Sequence, residues 1–165
     1  VLLVPYDPLW PLEFAAEADR IVRACDDLPV QVEHIGSTAV PGLGARPVID
    51  IGVGLPPGAR RPPYAAALKQ VGYEPLGATG IPGLDAFRRG SPRSHQIQLV
   101  RWSSELFDDW LTFRDALRAD ADIAREYDAL KRELAATFAD DPRRYSEAKG
   151  PFIRAVLRRA RSRIE

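Results

Sequence analysis

The chain has 165 residues, 45% of them hydrophobic, with 23 basic and 23 acidic side chains balancing to zero net charge. That length suits one domain, 1–165, with a substantial core. The missing basic excess argues against nucleic acid or a membrane surface as partner, no apolar run nears the roughly 20 residues of a membrane span, and with no secretory signal and a lone Cys25 the expected location is cytoplasmic.

Pro11 can occupy the first turn of a helix. Phe14, Ala18, Ile21, Val22 and Cys25 then recur at helical spacing, which predicts an amphipathic helix over 11–27. Residues 30–35 read as a strand, with Val30, Val32 and His34 on one side and Gln31, Glu33 and Ile35 on the other. A second strand spans 47–53, and the Pro/Gly-rich "LPPGARRPP" is a loop. A helix over Tyr64–Val71 stops at Gly72. Short strands are expected around Tyr73 and at Ala86–Arg89, and "HQIQLVRW" alternates as a central strand should.

After Ser103 the pattern turns helical. Leu106, Phe107, Trp110, Leu111, Phe113 and Leu117 mark one helix, and Tyr127, Leu130, Leu134 and Phe138 a second. A third follows from Phe152, Ile153, Val156, Leu157, Ala160 and Ile164. Strands first and helices after predict an α+β domain with a small mixed sheet.

Period-two geometry sorts the residues that can carry chemistry. Ile49, Ile51 and Val53 form a wholly apolar strand face, so Asp50 looks the other way, beside the loop that starts at Gly36-Ser37. Ile97 and Leu99 should be core, which turns Gln96 and Gln98 outward. If these strands are neighbours, Asp50, Gln96 and Gln98 line one cleft. The loop suits an anion: Gly36 permits close backbone approach, while Ser37 and Thr38 offer hydroxyls. The same residues also make ordinary turns. Arg46 and Lys149 are the candidate phosphate cations, Lys149 because it precedes a helix start. His34 is a candidate acid or base and equally a structural histidine. Arg88 and Arg114 either face the cleft or form surface ion pairs. The arginines at 154, 158, 159, 161 and 163 read as the solvated side of the last helix, and Trp102 and Trp110 as packing.

The stretch "EHIGSTAVPGLGARPVIDI" resembles the signature of the GrpB family, bacterial proteins with a nucleotidyltransferase-like fold. "YDPLWPLEF", "SHQIQLV", "FRDALRAD", "EYDALKRELA" and "YSEAKGPFI" fit the same pattern in the same order, so the resemblance covers almost the whole chain. It implies a small mixed β-sheet with flanking helices and a helical C-terminal third. Some relatives are fused to a dephospho-CoA kinase, a hint of nucleotide or coenzyme A precursor chemistry.

The wider superfamily places Gly-Ser before two alternating carboxylates that hold Mg²⁺. Gly36-Ser37 and Asp50 match, whereas Gly52 stands where the second carboxylate belongs. Gln96 and Gln98 stand where the GrpB pattern shows histidines, and His95, which matches, points away from them. One carboxylate with neutral amides is a weak Mg²⁺ site, and lost histidines remove transition-metal ligands. Glu33, a conceivable substitute ligand, lies on the opposite strand face from His34. Three readings follow: nucleotidyl transfer, a pure ligand-binding module, or a metal-free enzyme with Asp50 or His34 as general base. The partner in each is a small molecule, a nucleotide or another phosphate-bearing or polar compound.

Overall fold

The structure, a computed structural model, describes residues 1–163. Helix α1 (Trp10–Cys25) leads into strand β1 (Gln31–Ile35), a 3-10 turn (Ser37–Ala39) and strand β2 (Ile49–Leu55). Helix α2 (Pro62–Gln70), the short β3 (Glu74–Pro75), β4 (Asp85–Arg89) and β5 (His95–Arg101) follow. Helices α3 (Glu105–Ala119), α4 (Ala121–Thr137), α5 (Pro142–Ala148) and α6 (Gly150–Ser162) form the C-terminal part. The sheet order is β1-β2-β5-β4-β3. β2 and β5 run parallel and the other pairs antiparallel, so the sheet is mixed and β5 is its middle strand.

Alternation along β2 and β5 decides what each face does. Ile51 lies opposite Ile97 and Val53 opposite Leu99, and all four are fully buried. They form one core with Ile21 of α1 and Leu68 of α2. On the other face β2 presents Asp50, Gly52 and Gly54. A Cβ at Gly54 would come within 2.9 Å of Trp102 Cβ and 3.1 Å of the Phe107 ring. The bare backbone there seats α3. A second core joins Val40 and Leu43 of the loop to Leu117, Ile123, Tyr127 and Val156 of the C-terminal helices.

Side-chain oxygens start three of those helices. Ser104 accepts from the Phe107 N–H, Asp120 from Asp122 and Ile123, and Asp141 from Arg144. Each fills donors that a helix start leaves open.

Several expectations shift. Strand 47–53 is observed at Ile49–Leu55, and helix 11–27 at Trp10–Cys25. On α1, Val22 is 47% exposed, while Glu17 is buried. The buried stripe runs Trp10, Glu17, Ile21, Cys25, and position 22 lies about 100° around the helix from 21. Four helices follow residue 103, not three; α5 was missed although Asp141-Pro142 is an N-cap followed by a first-turn proline. Ile164, expected in the last helix, lies outside the described residues.

Candidate functional site: a cationic cavity over the sheet

The chain leaves β1 through Gly36, whose φ of +75° is a glycine conformation. Space restricts this position as well. A Cβ there would lie 2.7 Å from Asp50 Oδ2, so the turn and the carboxylate are fitted to one another. Ser37 and Thr38 follow in the 3-10 turn and, with Asp50, line a cavity of about 450 Å³. α3 walls it with Leu106, Trp110 and Phe113, and α6 with Ile153 and Leu157.

Cations dominate its polar end. Arg46, Arg93, Lys131, Lys149 and Arg154 all line it, against the carboxylates Asp50 and Asp109. Lys131 is 1% exposed. Its Nζ donates to Ser37 Oγ at 2.7 Å and to the Gly44 carbonyl, and lies 5.2 Å from the Tyr127 ring centre. Burial first, and then the Lys149 charge, pull the Lys131 pKa down to about 7. Lys149 Nζ stands 4.7 Å from the Tyr145 ring centre. Burial and Arg46 bring its pKa to about 8, with Asp50 acting the other way. Two ammonium groups and a guanidinium so close repel one another, and an entering anion would relieve that repulsion.

Asp50 is the mirror case. Burial raises its pKa to about 6, although Arg46, Lys149, Lys131 and Arg93 all pull it lower. Among the described residues no group of three or more His, Cys, Asp or Glu side chains is placed to hold a cation. Position 52 faces Ile35 and the Phe107 ring, both 3.4–3.5 Å from where a Cβ would stand. A second carboxylate would therefore enter an apolar seat. Mg²⁺ needs several hard oxygens in octahedral array, and one carboxylate among four cations does not supply them.

The sequence-derived candidates divide into two groups. Gly36, Ser37, Thr38, Arg46, Asp50, Gln96 and Lys149 come together at the cavity. Gln98 does not line it: opposite Gly52 in the register, it lies further along the same face, where Phe107 covers β2. His34 is on the opposite face, opposite Ile51. It stacks on Phe14 with ring centres 4.6 Å apart, and its Nε2 is 2.9 Å from Thr38 Oγ1. Burial, with Arg118 and Arg114 nearby, drives its pKa down to about 4. It is a neutral ring that steadies Thr38 from behind.

Arg114 is an ion-pair residue, donating to Glu33 Oε2 at 2.8 Å and to the His34 carbonyl at 3.2 Å. That pair also occupies Glu33. Arg88 turns into its own hairpin, on the Gly90 carbonyl at 2.6 Å. Two arginines of the last helix are more than solvated: Arg154 lines the cavity, and Arg161 bridges Asp108 and Asp109 of α3. Trp110, read as packing, is also a cavity wall.

Sequence reasoning missed Lys131, Arg93 and Tyr127. Lys131 stands four residues after Tyr127 on one helical face. A lysine inside an apolar stripe was the available signal.

Known proteins resemble the chain in sequence and in fold. The sequence profile described as GrpB protein matches residues 1–159. A UPF0157 protein of Pseudomonas aeruginosa is 36% identical over 163 residues, which cover 96% of this chain and 66% of that protein. A dephospho-CoA kinase of Mycolicibacterium paratuberculosis is 30% identical over 192 residues, 97% of this chain and 46% of that one. The chain thus spans between about half and two thirds of these relatives. Among solved structures, the conserved protein GrpB from Enterococcus faecalis superposes with a TM-score of 0.85 at 29% identity, covering 99% of both chains. The Cid1 poly(U) polymerase, solved with MgGTP bound, superposes with a TM-score of 0.56 at 14% identity over 80% of this chain and 44% of that chain, a likeness of fold alone. With a nucleotidyltransferase-like fold and a profile match across nearly all its length, the chain belongs to the GrpB family.

Proposed function

We propose that the cavity binds a phosphate-bearing small molecule, with a nucleotide or coenzyme A precursor as the leading class, and that it does so without a protein-held metal ion. One observation carries the reading: Arg46, Lys131 and Lys149 line one cavity with Ser37, to which Lys131 donates, and Asp50 is the carboxylate beside them. In this reading Lys131, already hydrogen-bonded to Ser37, fixes the hydroxyl toward phosphate oxygens. Arg46 and Lys149 close around the same charge from the loop and the start of α6. Charge-assisted bonds of this kind are about twice as strong as neutral ones. The aromatic wall of Trp110 and Phe113 receives the rest of the ligand.

Nucleotidyl transfer is the narrower form of this proposal, supported by the shared fold and by Asp50 beside Gly36-Ser37. The apolar seat at Gly52 favours the metal-free form. A thermal-shift screen of nucleotides, coenzyme A precursors and pyrophosphate, each with Mg²⁺ and with EDTA, tests both. Binding to the native state alone raises stability with the logarithm of ligand concentration over Kd. Stabilisation by phosphate esters in EDTA supports the proposal; stabilisation by none of them, in either condition, defeats it.

A further inference from the structure

The chain uses arginine for 20 of its 23 basic side chains and lysine only at Lys69, Lys131 and Lys149. Two of these three lysines converge on one cavity. A cradle that needed only fixed positive charge is served by arginine, as Arg46, Arg93 and Arg154 show in the same cavity. Lysine adds an amine that can lose its proton and attack carbon.

We propose that Lys149 is an imine-forming lysine and that the cavity takes a phosphate ester carrying an aldehyde or ketone. The substrate class rests on the phosphate reading above; the reactive amine stands on its own observations.

The two cavity lysines are placed differently. Lys131 Nζ is committed to Ser37 Oγ and the Gly44 carbonyl in a fully buried position. Lys149 Nζ meets the Tyr145 ring face and has no hydrogen-bond acceptor among the described residues. The residue sits between α5 and α6, as the N-cap residue of α6, and lines the cavity. Arg46 is the neighbouring fixed cation, and a lysine desolvated beside another cation is the usual way an amine is made nucleophilic near neutral pH. Each unit of lowered pKa raises its free-amine fraction near neutrality about tenfold, and the direction found for Lys149 is downward. The walls Leu106, Trp110, Phe113 and Ile153 limit the water that would hydrolyse an imine.

The step balances within the two partners. The neutral Lys149 amine adds to the carbonyl carbon, and the C=O electron pair moves to oxygen. Both amine protons then pass to that oxygen, the C–O bond breaks and water leaves, with a C=N bond in its place. No oxidant, reductant or metal is consumed.

Pyridoxal 5′-phosphate and its dephosphorylated form, pyridoxal, are suitable probes, with borohydride trapping and peptide mapping as the readout. The phosphorylated probe should give one reduced adduct, on Lys149, at least about tenfold faster than on the exposed Lys69. Lys149→Arg, which keeps the charge, should abolish it, and Lys149→Met gives a second check should the arginine crowd the site. Pyrophosphate should protect. Equal labelling of Lys149 by both probes, without protection, keeps the reactive amine and overturns the phosphate ester. Pyrophosphate-competed binding of the phosphorylated probe with no adduct on Lys149 keeps the phosphate site and overturns the imine. An adduct on Lys131 alone, or Lys149 labelled no faster than Lys69, also overturns it.

Discussion

Two carboxylates with opposite environments lie on opposite faces of the same sheet. Glu17, from α1, is saturated: Tyr73 Oη and Arg20 donate to it at 2.8 Å, Arg89 reaches its other oxygen at 2.8 Å, and His95 Nε2 is 3.9 Å away. Burial alone would raise its pKa, yet those bonds and the Arg89 charge hold it below the ordinary value. Asp50 has cations around it, no hydrogen-bond donor among the described residues, and a pKa raised to about 6. A buried acid with all its bonds made belongs to the fold; one left unbonded against a cavity is a candidate contact for a ligand.

The largest expected effect tests the fold half of this contrast. Glu17→Ala leaves Arg89, Arg20 and the Tyr73 hydroxyl without their shared acceptor, and breaking a buried pair from one side costs about 3–5 kcal/mol. Thermal unfolding should fall by roughly 10 °C, while the folded protein keeps its affinity for pyrophosphate. Unchanged stability would remove Glu17 from its structural role.

Lys131→Met should do the reverse. Loss of a charged hydrogen-bond donor is worth about 1.5–3 kcal/mol, so pyrophosphate affinity should drop about 10- to 100-fold by calorimetry. Stability should move little, because a desolvated ammonium leaves along with its two bonds.

Asp50→Asn sharpens the comparison through pH. With the folded pKa near 6 and the ordinary value 3.8, the ionised carboxylate opposes folding above pH 6. That cost shrinks as pH falls from 6 to about 4 and vanishes below, where both states are protonated. Asp50→Asn should therefore be more stable than wild type at pH 7, by at most about 3 kcal/mol, and no more stable at pH 3.5. Denaturant melts at both pH values check the sign. Glu17 has the opposite sign: its contribution is present at pH 7 and is lost as pH falls through its depressed pKa.

The smallest effect belongs to the rim. Arg154 lines the cavity but is exposed, so Arg154→Ala should weaken pyrophosphate only about threefold at low salt and hardly at all at high salt.

The sheet was legible because alternation has a single period: Ile49, Ile51 and Val53 declare one face of β2 and so put Asp50 on the other. The anion loop was legible from Gly36-Ser37-Thr38. What stayed hidden depends on distance along the chain. Lys131 meets Ser37 across 94 residues and the Gly44 carbonyl across 87; the apolar stripe on α4 marks the lysine as buried but does not name those partners. Glu17 was hidden likewise, since its partners Tyr73 and Arg89 lie 56 and 72 residues away. Gln98 and His34 share a different cause. Alternation assigns a face but not how far a covering helix extends over it, nor which side chain a histidine stacks on.

In the proposed function the cavity holds phosphate with its own cations and no resident metal. Calorimetric titration of pyrophosphate into wild type and Lys131→Met, in EDTA and in excess Mg²⁺, tests it most directly. We expect wild type to bind in EDTA, and Lys131→Met to lose most of that affinity in both conditions. Binding that requires Mg²⁺ and is indifferent to Lys131 would mean that a metal ion, not the cavity cations, holds the phosphate.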